Sequence, residues 1–203
     1  MEELSSLMMG DHNAKLAILD ALDALIEHVP FDKITVTQIC TQAHVSRATF
    51  YRNFKDKFAI PQWHLNYAHA RGTVQIGRTL SWQAGYYITE AAIVERRSFY
   101  ANVARSHDYN AIDNYAPRMR KKALLATITD YHQVPLTEHL RFLVDATVEI
   151  EVHLLPKWHY GAYDVPLKEV CAWMADAVPR ELFDLLNTPA KPQGAGAPPI
   201  MHR

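Results

Sequence analysis

Thr35, Ser46, Arg47, Thr49, Tyr51, Arg52 and Lys57 lie close together near the start of the chain. Hydroxyls and cations of this kind can hold the phosphates of a duplex, and a guanidinium can read the edge of a base. From Thr35 to Lys57, the cations Arg47, Arg52, Lys55 and Lys57 face a single acid, Asp56. The whole chain carries a net charge of −1, so it is not built to coat nucleic acid without specificity. A small basic patch on a near-neutral protein suits a partner met by one face only. Singly, each residue has a plainer reading. A lone lysine or arginine on a helix is usually a solvated face, and a threonine or serine before a helix is usually its cap.

The spacing of the surrounding residues decides between these readings. Residues 1–10 have little pattern. Asp11 or Asn13 is expected to cap a helix running to about Val29, with Leu16, Ile18, Leu19, Leu22, Leu25, Ile26 and Val29 at three- and four-residue intervals. Pro30 stops it, and Phe31 and Ile34 tuck the connection inward. Thr35 caps a second helix over 36–43, whose Val36, Ile39, Cys40 and Ala43 share a face. His44 and Val45 turn the chain, and Ser46 caps a third helix over 47–53. Asp56 or Lys55 opens a fourth, in which Pro61 is tolerated near the start. Two short helices joined this way form a helix-turn-helix. Ile39, Ala43, Val45 and Phe50 supply the contact between them, and Arg47, Thr49, Tyr51 and Arg52 the outward edge.

The stretch ITVTQICTQAHVSRATFYRNFKDK resembles the N-terminal domain of the TetR/AcrR family of transcriptional regulators. The match lies in Ile-Thr-Val before the second helix and Ala-x-Val-Ser before the third. It continues through Thr-Phe-Tyr-x-x-Phe and Lys-Asp-Lys before the fourth, and it covers about residues 14–60. His44 departs from the pattern, because glycine is usual there; histidine can adopt the positive φ at some cost. The resemblance implies roles for these residues. Thr35 would donate to a phosphate, and Arg47, behind its Ser46 cap, would read a base. Thr49 and Tyr51 would touch phosphate or a thymine methyl, and Arg52 would reach the backbone. Lys57 would grip a phosphate together with the dipole of the fourth helix. Phe50 and Phe54 belong to the small core.

The remaining chain reads as all-α: a three-helix DNA-binding head over 1–57, and a larger helical ligand-binding and dimerisation domain over 58–186. A proline- and glycine-rich tail over 187–203 is expected to be disordered. Helices are expected over 58–76, 81–105, 108–131, 137–155 and 166–186, with a break near Pro179 and no strand signal. The last two carry apolar residues around much of their circumference. Leu140, Leu143, Val144, Val148, Ile150, Val152 and Leu155 lie on one; Val170, Ala172, Trp173, Ala177 and Val178 lie on the other. Such helices are either central in a monomer or shared with a partner, and the resemblance favours a homodimer.

The resemblance also implies a pocket for a small organic effector, and aromatic residues are its candidates: Trp63, Tyr67, Trp82, Tyr86, Tyr87, Phe99, Tyr100 and Tyr115. They suit an ordinary core equally well. A cavity above about 300 Å³ favours the effector, and a solid core with an exposed groove favours control by a protein partner. A metal sensor is a third reading. However, His64 and His69, like His153 and His159, miss the i,i+4 spacing that puts two imidazoles on one helical face. No catalytic motif is present, and seven glycines leave no room for a phosphate-cradling loop, so neither an enzyme nor a cofactor is expected. Cys40 and Cys171 are far apart and make no framework. The lack of a leader segment or an 18-residue apolar run points to a reduced, cytoplasmic setting. The resemblance implies a repressor released from its operator DNA.

Overall fold

The computed structural model describes residues 2–107 and 115–187, with side chains over 12–107 and 117–187. The described residues form ten α-helices and no strand. The tail from residue 188 onward, and the start of the helix expected over 108–131, lie outside the described residues.

Helix α1 runs from Glu2 to Ile26 without a break, so neither Asp11 nor Asn13 caps it. Good helix formers, Glu2, Glu3, Leu4, Leu7, Met8 and Met9, carry it through the stretch that lacks an amphipathic pattern. A short 3₁₀ turn at Phe31–Lys33 follows, then α2 at Val36–Gln42 and α3 at Arg47–Asn53. Helix α4 covers Ala59–Arg71; its first turn is fixed by Asp56, whose Oδ1 accepts from the Ala59 amide at 2.9 Å. Ile18, Leu19, Leu22, Ile26, Ile34, Ile39, Phe50 and Phe54 pack into the core of this head.

That core also takes in Ile60 of α4 and residues from much further along the chain. The expected helix over 81–105 is two helices, α5 at Trp82–Glu95 and α6 at Arg97–Val103. Arg96 makes the corner between them, with its guanidinium 2.5 Å from Asp20 and 2.6 Å from Asp23 on α1. The bend lays Phe99 and Val103 of α6 into the head core, both essentially inaccessible to solvent.

The body holds α5, α7 at Tyr115–Ala126, α8 at Glu138–His159, α9 at Leu167–Asp176 and α10 at Arg180–Leu186. Pro179 separates the last two, as its missing donor and fixed φ require. Helix α8 runs past its expected end and carries Pro156 within its last turns. Trp82, Tyr86, Leu124, Ile128, Val144, Val148, Cys171, Met174, Leu182 and Leu186 form the second core. Helices α4 and α5 cross so closely that Gly72 has no room for a side chain: a Cβ there would sit 2.2 Å from Thr89 Oγ1. The chain therefore leaves α4 at Gly72 and does not continue helically to residue 76 as expected; only a 3₁₀ turn at Thr73–Gln75 follows. Among the described residues, no helix is long and apolar enough to cross a membrane.

Candidate nucleic-acid interface and ligand cavity

Local hydrogen bonds set the pose of α2 and α3. Thr35 caps α2 through a reciprocal box with Gln38, whose side chain accepts from the Thr35 amide at 2.8 Å. Ser46 caps α3, its Oγ accepting from the Thr49 amide at 3.0 Å. Between them His44 sits at φ 53°, the left-handed conformation that the motif needs, and the Val45 amide closes the turn on Cys40. Ile39 and Phe50 are fully buried where the helices meet, and Ala43 and Val45 pack beside them.

The outward edge of α3 carries Arg47, Tyr51 and Arg52, all exposed, with Thr49 partly so. Arg47 donates to Thr37 Oγ1 at 2.8 Å, and its guanidinium lies 5.8 Å from the centre of the Tyr51 ring. Thr37 is a member of this edge that the sequence reading missed. It stands two residues inside α2 and reads there as a solvated position, although it steadies the guanidinium that faces outward. The arrangement presents a stacked, hydrogen-bonded arginine and a tyrosine hydroxyl on one rigid helix, the equipment needed for base and phosphate contacts.

Lys57, expected to grip a phosphate, makes bonds within the DNA-free chain that the sequence reading did not include. Its ammonium donates to the carbonyls of Phe31, Asp32 and Ile34 at 2.8, 2.9 and 2.8 Å. Those carbonyls belong to the turn between α1 and α2, so Lys57 ties the head together, and all three of its protons are used. Replacing Lys57 with Met should destabilise the DNA-free protein by about 2 kcal/mol, the range for charge-assisted hydrogen bonds. An unchanged denaturant midpoint together with weaker DNA binding would return Lys57 to the phosphates.

The aromatic pocket residues scatter. Trp82, Tyr86 and Phe99 are fully buried core, and Tyr87 is half exposed on the surface. Trp63 and Tyr67 stack on each other beside His12 of α1. The side chain of Tyr115 lies outside the described residues. Of the candidates whose side chains are described, Tyr100 alone lines the large cavity of the body, where its hydroxyl is 2.6 Å from His64 Nδ1. Burial, followed by the nearby Arg96 charge, lowers the His64 pKa and favours the neutral ring.

That cavity has a volume of about 320 Å³ and lies among α4, α5, α6, α7 and α8. Leu65, Ile93, Val152 and Leu155 supply apolar wall, and Glu90, Arg120, Glu151, His69 and His159 supply polar groups. Arg120 binds Glu151 through two parallel hydrogen bonds of 2.8 Å and donates to the Thr73 carbonyl at 2.7 Å. The Tyr86 hydroxyl donates to the same Glu151 at 2.7 Å. Burial opposes the Arg120 charge, yet the Glu151 carboxylate outweighs it and leaves the guanidinium's pKa raised. Burial first, and Glu151 second, push the Tyr86 phenol well above its ordinary value. Glu151 had a signal in the sequence, because it interrupts the apolar stripe Val144–Val148–Leu155 of its helix. Among the described residues no three His, Cys, Asp or Glu side chains gather as metal ligands would.

A helix-turn-helix head whose recognition edge faces outward, set on an all-helical body with a cavity, defines a DNA-binding transcription regulator and not an enzyme. Residues 18–60 match the family described as bacterial regulatory proteins, tetR family. A solved structure described as dihydroxyacetone kinase operon activator DhaS has the same fold, with a TM-score of 0.59 at 14% identity. The match covers 86% of this chain and 98% of that one. No curated protein matches the chain.

Proposed function

We propose that the chain acts in the cytoplasm as a homodimeric repressor that a small organic molecule releases from its operator. The observation that carries this reading is the double duty of α6. Phe99 and Val103 sit in the core of the DNA-binding head, while Tyr100, Ala101 and Ala104 line the cavity. Helix α4 is shared in the same way, with Ile60 in the head core and Leu65 and His69 at the cavity. A ligand that fits the cavity in only one arrangement of α4 and α6 changes the attitude of the head, and a few kcal/mol of differential affinity moves most of the population. The cavity volume favours a small molecule over a protein partner as the controlling agent.

Pairing follows from what the chain leaves uncovered. Phe142 of α8 and Trp173 of α9 are large apolar side chains that are 67% and 46% exposed, on the two helices assigned to the dimer. Two heads related by a two-fold axis meet a palindromic site in successive major grooves.

Selection of bound duplexes from a random library gives the operator, and Arg47 is then the residue to test. Arg47→Ala should weaken binding to the selected site by about 1–3 kcal/mol and relax the preference at one base position. An equal loss on every sequence would make Arg47 a phosphate contact, and no loss would remove α3 from the interface.

A further inference from the structure

The polar end of the cavity carries two carboxylates, Glu90 and Glu151, and two guanidiniums, Arg97 and Arg120. Arg120 is matched by Glu151 through its two parallel hydrogen bonds. Glu90 of α5 is matched by a histidine alone: its Oε2 lies 2.6 Å from His159 Nε2. Glu90 is 2% exposed, lines the cavity, and has no hydrogen-bond partner for Oε1 among the described residues. Among the described residues the fully buried side-chain atoms without a partner are Asn53 Oδ1 and Trp82 Nε1, so Glu90 Oε1 is not sealed in protein but open to the cavity that it lines. Burial keeps the neighbouring His69 largely neutral, and its Nδ1 is already engaged with Thr73 Oγ1 at 2.8 Å. The remaining cation of the lining, Arg97, is exposed and stacks over Trp158 with its guanidinium 5.6 Å from the ring centre. Opposite Glu90, Pro156 has no N–H to give the Val152 carbonyl, and both residues line the cavity. The buried end therefore offers the open carboxylate oxygen of Glu90 as an acceptor, Arg97 is an exposed cation of the lining, and Leu65, Ile93, Val152 and Leu155 form an apolar wall.

Resting on the reading of this cavity as the effector site, we propose that the effector is an amphipathic amine, bound as a cation with its N–H groups on Glu90 and its apolar body against the wall of α4, α5 and α8. The ammonium supplies the donor that Oε1 lacks and offsets a buried negative charge. A carboxylate ligand would bring no donor to Glu90 Oε1, and a neutral alcohol would offer one weaker hydrogen bond.

Three probes with one apolar body separate these cases: phenylbutylamine, phenylbutanol and phenylbutyrate, each titrated calorimetrically into the full native chain. Phenylbutylamine should bind about tenfold more tightly than phenylbutanol, with phenylbutyrate weakest. Glu90→Gln should erase the preference for the amine while leaving phenylbutanol binding in place. Leu155→Trp, which fills the apolar end, should abolish binding of all three. Equal or tighter binding of the alcohol or the acid overturns the amine assignment and leaves the cavity a ligand site. An amine preference that survives in Glu90→Gln removes Glu90 as its cause. Binding of none of the three at millimolar concentration overturns the amine assignment and the effector-site reading together. The three-ligand comparison on the native chain keeps its meaning even if a variant fails to fold.

Discussion

Arg120→Met should lower the stability of the protein by about 3–5 kcal/mol, the cost of leaving a buried charge without its partner. Both side chains of the Arg120–Glu151 pair are more than nine-tenths buried, and removing the arginine leaves the Glu151 carboxylate without its two bonds. The loss spreads further. Arg120 also donates to the Thr73 carbonyl at the crossing of α4 and α5, and Glu151 also accepts from Tyr86. Combining Arg120→Met with Glu151→Leu removes both charges and should recover most of the loss, because apolar replacements of a buried pair are often neutral or better. The Tyr86 hydroxyl then lacks its acceptor, at about 1–3 kcal/mol, so adding Tyr86→Phe should recover more. Guanidinium unfolding of the four proteins gives these differences directly. A single-variant loss below about 1 kcal/mol would mean that water reaches the pair and that it is not a buried bridge.

Phe142→Glu combined with Trp173→Glu should turn the proposed dimer into a folded monomer and disable operator binding. Each aromatic, if it anchors the interface, contributes about 2 kcal/mol or more to association. Two such losses, roughly 4 kcal/mol or more, raise the dimer dissociation constant by about three powers of ten. Both side chains face away from the monomer's own core, so helicity and unfolding midpoint should hardly change at concentrations where the native chain is also monomeric. Sedimentation equilibrium reads the assembly, and anisotropy with a labelled operator reads the binding. A native chain that remains monomeric at micromolar concentration would defeat this account of pairing before any variant was made.

The head was legible in the sequence because its rules are local. Caps at Thr35 and Ser46, a turn at His44 and apolar spacing at Ile39 and Phe50 each depend on residues a few positions apart. The bonds that Lys57 makes within the head were not legible, for the opposite reason. Its partners are the carbonyls of Phe31, Asp32 and Ile34, more than twenty positions away, and backbone acceptors leave no mark on residue type. The same limit applied to the cavity. Aromatic residues looked like its walls, yet Trp82, Tyr86 and Phe99 were needed as core filler, and aliphatic side chains enclose the space. The break at Arg96 was hidden as well, since its cause is an ion pair with Asp20 and Asp23 on α1. The two apolar faces of α8 and α9 were visible as pattern. Half of those residues, Leu140, Leu143, Val144, Val148, Val170 and Val178, turn inward to the chain's own core, while Trp173 remains outside together with Phe142, which the pattern did not include.

The seven residues of α6 are held on both sides, by packed side chains of the head and by the boundary of the cavity. Reciprocity then applies to whatever occupies the two ends. If an effector weakens the grip on DNA by some factor, operator DNA must weaken the grip on the effector by the same factor. Adding the duplex to a calorimetric titration of the effector thus measures the switch without a reporter gene, and equal affinities with and without DNA would show that α6 transmits nothing.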